Sequence, residues 1–488
     1  MSDTAQPVLA AGTVKPGFLT RLAFGVGGAA EGIKNNGFDY VLLFFYSNIL
    51  GVDASLVGMA LLVALVVDAI SDPVVGYWSD NLRTRFGRRH PFMYAALIPV
   101  ALAYYLTWNP PEGMDGNALF PWLVAMTIFV RISFTFYEVS SQALAAELTQ
   151  DYDTRTGLMS LRYFFAWFGG LTIQILLFKY LLIPTPEIPV GVFNVGGWNT
   201  YGSIAAVCIL VAVFLCAVGT HSHIPHLKAP PAARKLTLSR IFAEIFETVS
   251  NPSFRALFLA TLFGLMATGI SATLNQYINT IFWEFDNDQI AGLTMGVYVS
   301  AVLALIIAPI VGKTIGKKKG AIGVGVLAFT IAPMPVILRL LGLLPPNGTE
   351  SLYTFVLAVT IFDLALIITT QMLMGAMVAD IVEDSELQTG RRNEGIFFAG
   401  ISFIKKLSQG GGVMIASVVL SVAGLSQGGG AAAAGANSVG ALGWGYAVSL
   451  LTAWTLMIIA VSFYRISRES HEQNLAALAA RVEEETTS

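Results

Sequence analysis

The sequence predicts an all-α polytopic membrane protein with twelve transmembrane helices in two six-helix bundles. Three observations carry this. Apolar stretches of about 20 residues, enough to cross a bilayer as helix, recur along all 488 residues. Charged residues make up 12% and hydrophobic ones 55%, whereas a soluble domain is roughly a quarter charged. Lys and Arg cluster in every second loop and are missing from the loops between.

The twelve segments fall at about 20–49, 55–79, 91–109, 118–146, 157–183, 200–220, 253–283, 289–312, 321–343, 352–379, 394–423 and 440–464. Arg83, Arg85, Arg88 and Arg89 follow the second. Arg155 follows the fourth, Lys228, Arg234, Lys235 and Arg240 the sixth, and Lys317, Lys318 and Lys319 the eighth. Arg391 and Arg392 follow the tenth. By the positive-inside rule both termini are cytoplasmic, and the expected location is the plasma (cytoplasmic or inner) membrane. Residues 1–18 are polar and lack the short apolar core of a cleavable signal peptide.

The expected division is an N-terminal bundle at 1–221, a cytoplasmic linker at 222–251, a C-terminal bundle at 252–465 and a cytoplasmic tail at 466–488. Within the linker, LTLSRIFAEIFETVS alternates apolar and charged residues, as an amphipathic surface helix does. His221, His223 and His226 open it and read as solvated linker rather than a metal site. Cys208 and Cys216 share one segment eight residues apart and cannot pair along a straight helix. PVVG at 73–76 and PIVG at 309–312 each precede a basic loop, and Arg21 and Arg255 each open a half, which suggests a parallel six-helix repeat.

The most informative stretch is DAISDPVVGYWSDNLRTRFGRR, residues 68–89. Asp68 and Asp72 lie one helical turn apart in an apolar run, on one face. Each charge at mid-membrane costs about 2.5–3.5 kcal/mol on insertion scales, and two facing carboxylates also repel. A bound Na+ or a shared proton removes that conflict. Ser71 and Thr135 supply nearby oxygens, and Pro73 leaves the Ala69 carbonyl without its usual donor. By the Pro73–Pro309 correspondence the second half has Ala304 and Ala308 at these positions. Acids present in one half only point to function rather than architecture.

Other polar residues sit where lipid would exclude them unless they line a cavity. Segment 1 carries Glu31, Lys34, Asn35 and Asp39; Glu31 and Lys34 either neutralise each other or contact substrate. Segment 4 carries Arg131, Thr135, Glu138 and Gln142 as one polar stripe, in which Arg131 and Glu138 pair directly, pair through substrate or hold helices together. Arg162, Asp363, Gln371, Lys405 and Lys406 complete the set, with Lys406 facing substrate or balancing Asp363. In the basic loops, Asp80, Arg83 and Arg88 serve topology and gating. DYDTRTG at 151–157 and DIVEDSELQTGRRNEG at 380–395 hold Arg155, Asp380, Glu386 and Arg392, a candidate salt-bridge gate of individually weak exposed pairs. The segments hold no Ser-His-Asp grouping, metal-ligand spacing or re-entrant filter motif, which argues against an enzyme or a channel.

Together D-A-I-S-D-P and A-D-I-V-E-D-S-E-L-x-T-G-x-R-x-E-G resemble the glycoside–pentoside–hexuronide:cation symporters of the major facilitator superfamily, typified by the melibiose permease. The similarity spans most of the chain. It implies alternating access and solute uptake driven by Na+, Li+ or H+, with no other cofactor, by a chain that works as a monomer without nucleic acid. It assigns cation binding to Asp68, Asp72 and Thr135, with Ser71 replacing an asparagine. It assigns sugar binding to Glu138, Arg162 and Lys406. Three positions depart: the family's sugar-contacting aspartate is Gly32 here, and two tryptophan positions are Gln142 and Gln371. A pyranose face favours an aromatic platform, so the substrate is open among other glycosides, hexuronides and non-sugar solutes. Lysophospholipid symporters share the D-A-x-x-D-P pattern, so a lysolipid carrier or a proton-coupled exporter is the alternative. Glu31, Lys34, Asp39 and Arg131 favour a polar solute.

Overall fold

The computed structural model describes residues 16–149, 152–226, 252–389, 408, 410–425 and 435–464. The first half contributes α1 (Phe18–Asn36), α2 (Ala54–Asn81), α3 (His90–Trp108), α4 (Phe120–Leu148), α5 (Tyr152–Leu176) and α6 (Val195–His221). The second contributes α7 (Pro252–Tyr277), α8 (Asn287–Thr314), α9 (Lys317–Ile331), α10 (Glu350–Thr389), α11 (Gly410–Val422) and α12 (Ala436–Ser462). Among the described residues ten helical spans are long and apolar enough to cross a membrane. The other two are α1, which carries Arg21, Glu31 and Lys34, and α11, described only from Gly410. Every span buries less than half of its most apolar window, and residues such as Ile98, Val207, Val302 and Leu305 stand exposed, as a lipid-facing surface requires.

The helices pack as two bundles with matching neighbours. In the first, α1 packs on α5 and α6, α3 on α4 and α6, and α2 on α4. In the second, α7 packs on α12, α9 on α10 and α12, and α8 on α10. The repeat extends to backbone detail. The turn into α2 bonds Leu50 N to Phe45 O and Val52 N to Tyr46 O, and Asp53 caps the helix. The turn into α8 bonds Trp283 N to Ile278 O and Phe285 N to Asn279 O, and Asp286 caps it with a full capping box. Pro73 and Pro309 both lie inside their helices.

The sequence-based boundaries miss by several residues at some helix ends, most at the end of α10. The segment expected to end near 379 continues to Thr389, because Asp380–Gln388 has no Gly or Pro and is rich in helix formers up to Gly390. Likewise α5 begins at Tyr152 rather than 157. His221 belongs to α6, where its Nδ1 lies 2.7 Å from the Tyr94 hydroxyl, so it packs in the bundle rather than in solvated linker. Cys208 and Cys216 are free thiols. The amphipathic linker helix, Arg392, Lys405, Lys406 and the tail lie outside the described residues.

Among the described residues, hydrogen bonds between the bundles all lie in the half nearest the loops without Lys or Arg. The hydroxyls of Ser47 and Tyr277 pair between α1 and α7. Tyr298 of α8 reaches Thr172 of α5 at 3.4 Å, and Asn287 Nδ2 donates to the Leu182 carbonyl. Wide π-helical turns extend α1, α5 and α7 at this end.

Candidate functional site

The seam between α1 and α5 sets the position of the site. A Cβ at Gly32 would fall 1.7 Å from the Ala166 carbonyl oxygen, and one at Gly28 would fall 2.1 Å from that of Arg162. The two backbones therefore touch, as small residues four apart allow. This close approach brings Glu31 beside Arg162. It also explains the missing aspartate: no side chain fits at position 32, and the neighbouring Glu31 carries the carboxylate into the site.

On the other side, α2 packs on α4 and brings two acids to one hydroxyl. Thr135 Oγ1 lies 3.0 Å from Asp68 Oδ1 and 3.1 Å from Asp72 Oδ1. It also lies 3.0 Å from the Arg131 carbonyl oxygen and 3.2 Å from Ser71 Oγ. Ser71 Oγ donates to the Asp68 carbonyl at 3.1 Å. A threonine hydroxyl has one proton and cannot serve two carboxylates and a carbonyl at once. The cluster is therefore rich in acceptors, as a cation or proton site must be. Asp68 and Thr135 are buried, while Ser71 and Asp72 are half-buried.

Among the described residues, three ion pairs link these intramembrane polar residues of the first bundle, each across two helices. Arg131 Nη1 lies 3.5 Å from Asp68 Oδ2, Lys34 Nζ 3.7 Å from Glu138 Oε2, and Arg162 Nη2 3.4 Å from Glu31 Oε2. So neither Glu31 with Lys34 within α1 nor Arg131 with Glu138 within α4 forms a direct ion pair. Glu31 and Lys34 are offset by about 60° around α1, and Arg131 and Glu138 stand about two turns apart on α4, so the packed neighbour supplies a closer partner. All three pairs are longer than the roughly 2.7–2.9 Å of a full charge-assisted hydrogen bond. The guanidinium Nε of Arg131 and Nη1 of Arg162 are buried without a hydrogen-bond partner among the described residues. Aromatic faces complete their surroundings: Lys34 Nζ sits 4.2 Å from the Phe134 ring centroid, and Arg162 lies over Tyr137.

Gln142 donates to Glu138 Oε1 at 3.3 Å and Gln371 to Thr268 Oγ1 at 3.4 Å; both glutamines are exposed. Glu138 thus joins Lys34 and Gln142 in one polar group, while Gln371 belongs to the second bundle.

At the arginine-rich end a tighter cluster appears. Arg88 Nη2 and Arg89 Nε lie 2.9 and 2.8 Å from Glu147 Oε1, and Arg89 Nη1 donates to Ser79 Oγ at 2.6 Å. These contacts tie α2, the following loop and α4 together. Glu147 is absent from the sequence-based set; its one signal is an acid at the inner end of segment 4, facing an arginine loop. Arg83 is exposed in that loop. The side chains of Asp80, Arg155, Asp380 and Glu386 lie outside the described set. Because the Arg89 and Glu147 side chains are largely buried, Glu147→Ala removes an acid shared by Arg88 and Arg89, at an expected cost of about 1–3 kcal/mol. The melting temperature of the purified variant should fall by several degrees; an unchanged value would mean the cluster contributes nothing to the fold.

Comparison with known proteins agrees with this architecture. The family described as MFS/sugar transport protein matches residues 23–468. An uncharacterized symporter of Synechocystis sp. is 26% identical over 477 residues, covering 83% of this chain and 86% of that protein. The isoprimeverose transporter of Lactiplantibacillus pentosus is 23% identical, covering 88% and 84%. Among solved structures, an inward-facing, unoccupied bacterial homolog of the human lysosomal transporter Spinster shares the fold, with TM-score 0.65 at 13% identity over 93% of this chain and 97% of that one. The chain is therefore a secondary transporter and not an enzyme, and it belongs to the MFS/sugar transport family, among the glycoside–pentoside–hexuronide:cation symporters.

Proposed function

We propose that the protein couples Na+ or H+ binding at Asp68, Asp72, Ser71 and Thr135 to symport of a polar, glycoside-like solute by alternating access. The observation that carries this reading is the convergence of two carboxylates on one Thr135 hydroxyl, at 3.0 and 3.1 Å. In water-poor surroundings that arrangement is stable only when a cation or proton offsets the second acid.

Glu31, Lys34, Glu138, Gln142, Arg162, Gln371 and Lys406 form the proposed substrate surface. The Lys34–Glu138 and Arg162–Glu31 pairs support it, because a charge held at 3.4–3.7 Å is readily handed to a sugar hydroxyl. The seven charged groups linked by the described contacts are Glu31, Lys34, Asp68, Asp72, Arg131, Glu138 and Arg162. They include one more acid than base, and Lys406 of the proposed surface adds one base, so the lining carries little net charge. A neutral, hydroxyl-rich solute suits such a lining better than a lipid tail. Among the described residues the hydrogen bonds between bundles lie at the end with the Lys- and Arg-free loops, and the loop charges support placing both termini and the Arg155–Asp380–Glu386–Arg392 gate on the cytoplasmic side. The transport unit is one chain in the bilayer.

The first test is a melting-temperature screen of purified protein with isoprimeverose, melibiose and methyl glucuronide, and with a lysolipid as the contrasting class, each with and without Na+. A true ligand stabilises by mass action. A sugar or uronide should raise the melting temperature; stabilisation by the lysolipid alone would overturn the substrate assignment. With the stabilising sugar, Glu138→Gln should weaken solute binding by roughly tenfold or more, a lost charge-assisted bond, and leave ion binding little changed. Equal loss of both in calorimetry would move Glu138 into the ion site.

A further inference from the structure

We propose that Tyr163 and Trp167 of α5 form the aromatic platform on which the solute's ring lies, which makes the substrate class a ring-closed glycoside rather than an acyclic polyol or a lipid. This deepens the glycoside reading and rests on it.

The two positions at which the family resemblance implies tryptophan are Gln142 and Gln371 here, so a flat face must come from elsewhere. The stretch RYFFAWF, residues 162–168, sets five aromatic residues directly after Arg162. Helical rotation sorts them. Arg162 and Ala166 turn their backbone to α1, against Gly28 and Gly32. Phe164 and Phe168 stack on each other at 5.8 Å between centroids, and Phe168 reaches the Tyr298 ring of α8 at 6.3 Å. Tyr163 and Trp167, one turn apart, form a strip between those two faces, rotated by about 100° from Arg162 and Ala166. They are 58% and 54% exposed, and among the described residues no aromatic ring packs on either.

Depth and polarity set this strip in an aqueous cavity rather than in lipid. Trp167 stands ten residues into the 25-residue span Gly157–Leu181, about 15 Å from its start at 1.5 Å per residue. Tryptophan turned to lipid gathers at the interfaces, where its N–H finds water; deep in hydrocarbon that N–H has no partner. Tyr163 lies within electrostatic reach of Glu31 on α1. The Glu31 side chain is itself 22% exposed, at a depth where only a water-filled cavity offers solvent to a carboxylate.

The chemistry that fits is a sugar ring. Its C–H groups meet the electron-rich face of an indole or phenol, and its hydroxyls point outward from the rim. Arg162 and Glu31, held 3.4 Å apart beside Tyr163, offer a donor and an acceptor for that rim. An acyclic polyol has no such flat face, and a lipid tail leaves those polar groups without partners.

The test has two arms. In the first, purified wild type, Trp167→Phe and Trp167→Leu are melted against rising isoprimeverose, melibiose and methyl glucuronide, with sorbitol as the acyclic contrast. The midpoint of stabilisation by the binding sugar should rise roughly tenfold in Trp167→Leu, the loss of an aromatic face, and stay within about threefold in Trp167→Phe. An unchanged midpoint in Trp167→Leu would overturn the proposal, as would sorbitol stabilising wild type as well as the sugars do. The second arm needs no ligand. Trp167→Cys and Val207→Cys are made with Cys208 and Cys216 replaced by serine, reconstituted in liposomes, and exposed on both faces to a charged, membrane-impermeant thiol reagent. Trp167→Cys should react and Val207→Cys, on the lipid-facing surface of α6, should not. A Trp167→Cys as inert as Val207→Cys would overturn the platform even if a sugar binds. A wild type that no sugar stabilises, with Trp167→Cys reactive, would overturn the glycoside reading itself and the platform with it.

Discussion

Asp72→Asn abolishes ion-driven accumulation and leaves the protein folded. The substitution keeps the shape of the side chain and one of its oxygens, so the packing of α2 on α4 is untouched. It removes the negative charge next to Thr135 Oγ1. An opposite charge within a few ångströms is worth one to three pKa units, so losing it weakens ion binding by roughly 10- to 1,000-fold. In the absence of ions the variant's melting temperature reports folding alone, since asparagine keeps the packing of α2 on α4. That combination separates a binding defect from a folding defect. Retained uphill accumulation in Asp72→Asn would remove this carboxylate from the coupling machinery.

Gly32→Asp should fail to fold, even though it introduces the aspartate that the family resemblance implies at this position. The new Cβ would lie 1.7 Å from a carbonyl oxygen, a backbone atom that no rotamer change moves aside. Overpacking in a core costs about 1–3 kcal/mol where side chains can yield, and more where they cannot. The carboxylate would also meet the Ala166 carbonyl, an acceptor facing an acceptor. Separating α1 from α5 would pull Arg162 away from Glu31. Monodisperse yield after solubilisation and the melting temperature both read this out. A Gly32→Asp protein with wild-type stability would mean that the α1–α5 seam is looser than the backbone contact implies.

Most of the fold was legible because the bilayer imposes one length and one polarity on every spanning helix. Ten of the twelve helices stand out by hydropathy, and charge alternation orders the loops. Helix ends outside the lipid follow different rules, which is why α10 runs to Thr389 through a stretch read as loop. The site was legible in composition but not in pairing. Asp68, Asp72 and Thr135 meet as their spacing suggests, since i and i+4 on α2 face one partner helix. Glu31 and Lys34 separate, because the rotation of α1 aims one at Arg162 of α5 and the other at Glu138 of α4. That rotation is set by Gly28 and Gly32, whose close approach to α5 no spacing rule for charged residues contains. Glu147 was missed for the same reason: its partners, Arg88 and Arg89, lie in a different element.

The most direct measurement is solute accumulation in proteoliposomes, using the sugar or uronide that raises the melting temperature. An inward Na+ gradient and an inward pH gradient are imposed in turn, each with and without the matching ionophore. One of the two gradients should drive the internal concentration above the external one, and the ionophore should collapse it to equilibrium. An internal concentration that never exceeds the external one under either gradient would contradict ion coupling at Asp68, Asp72 and Thr135.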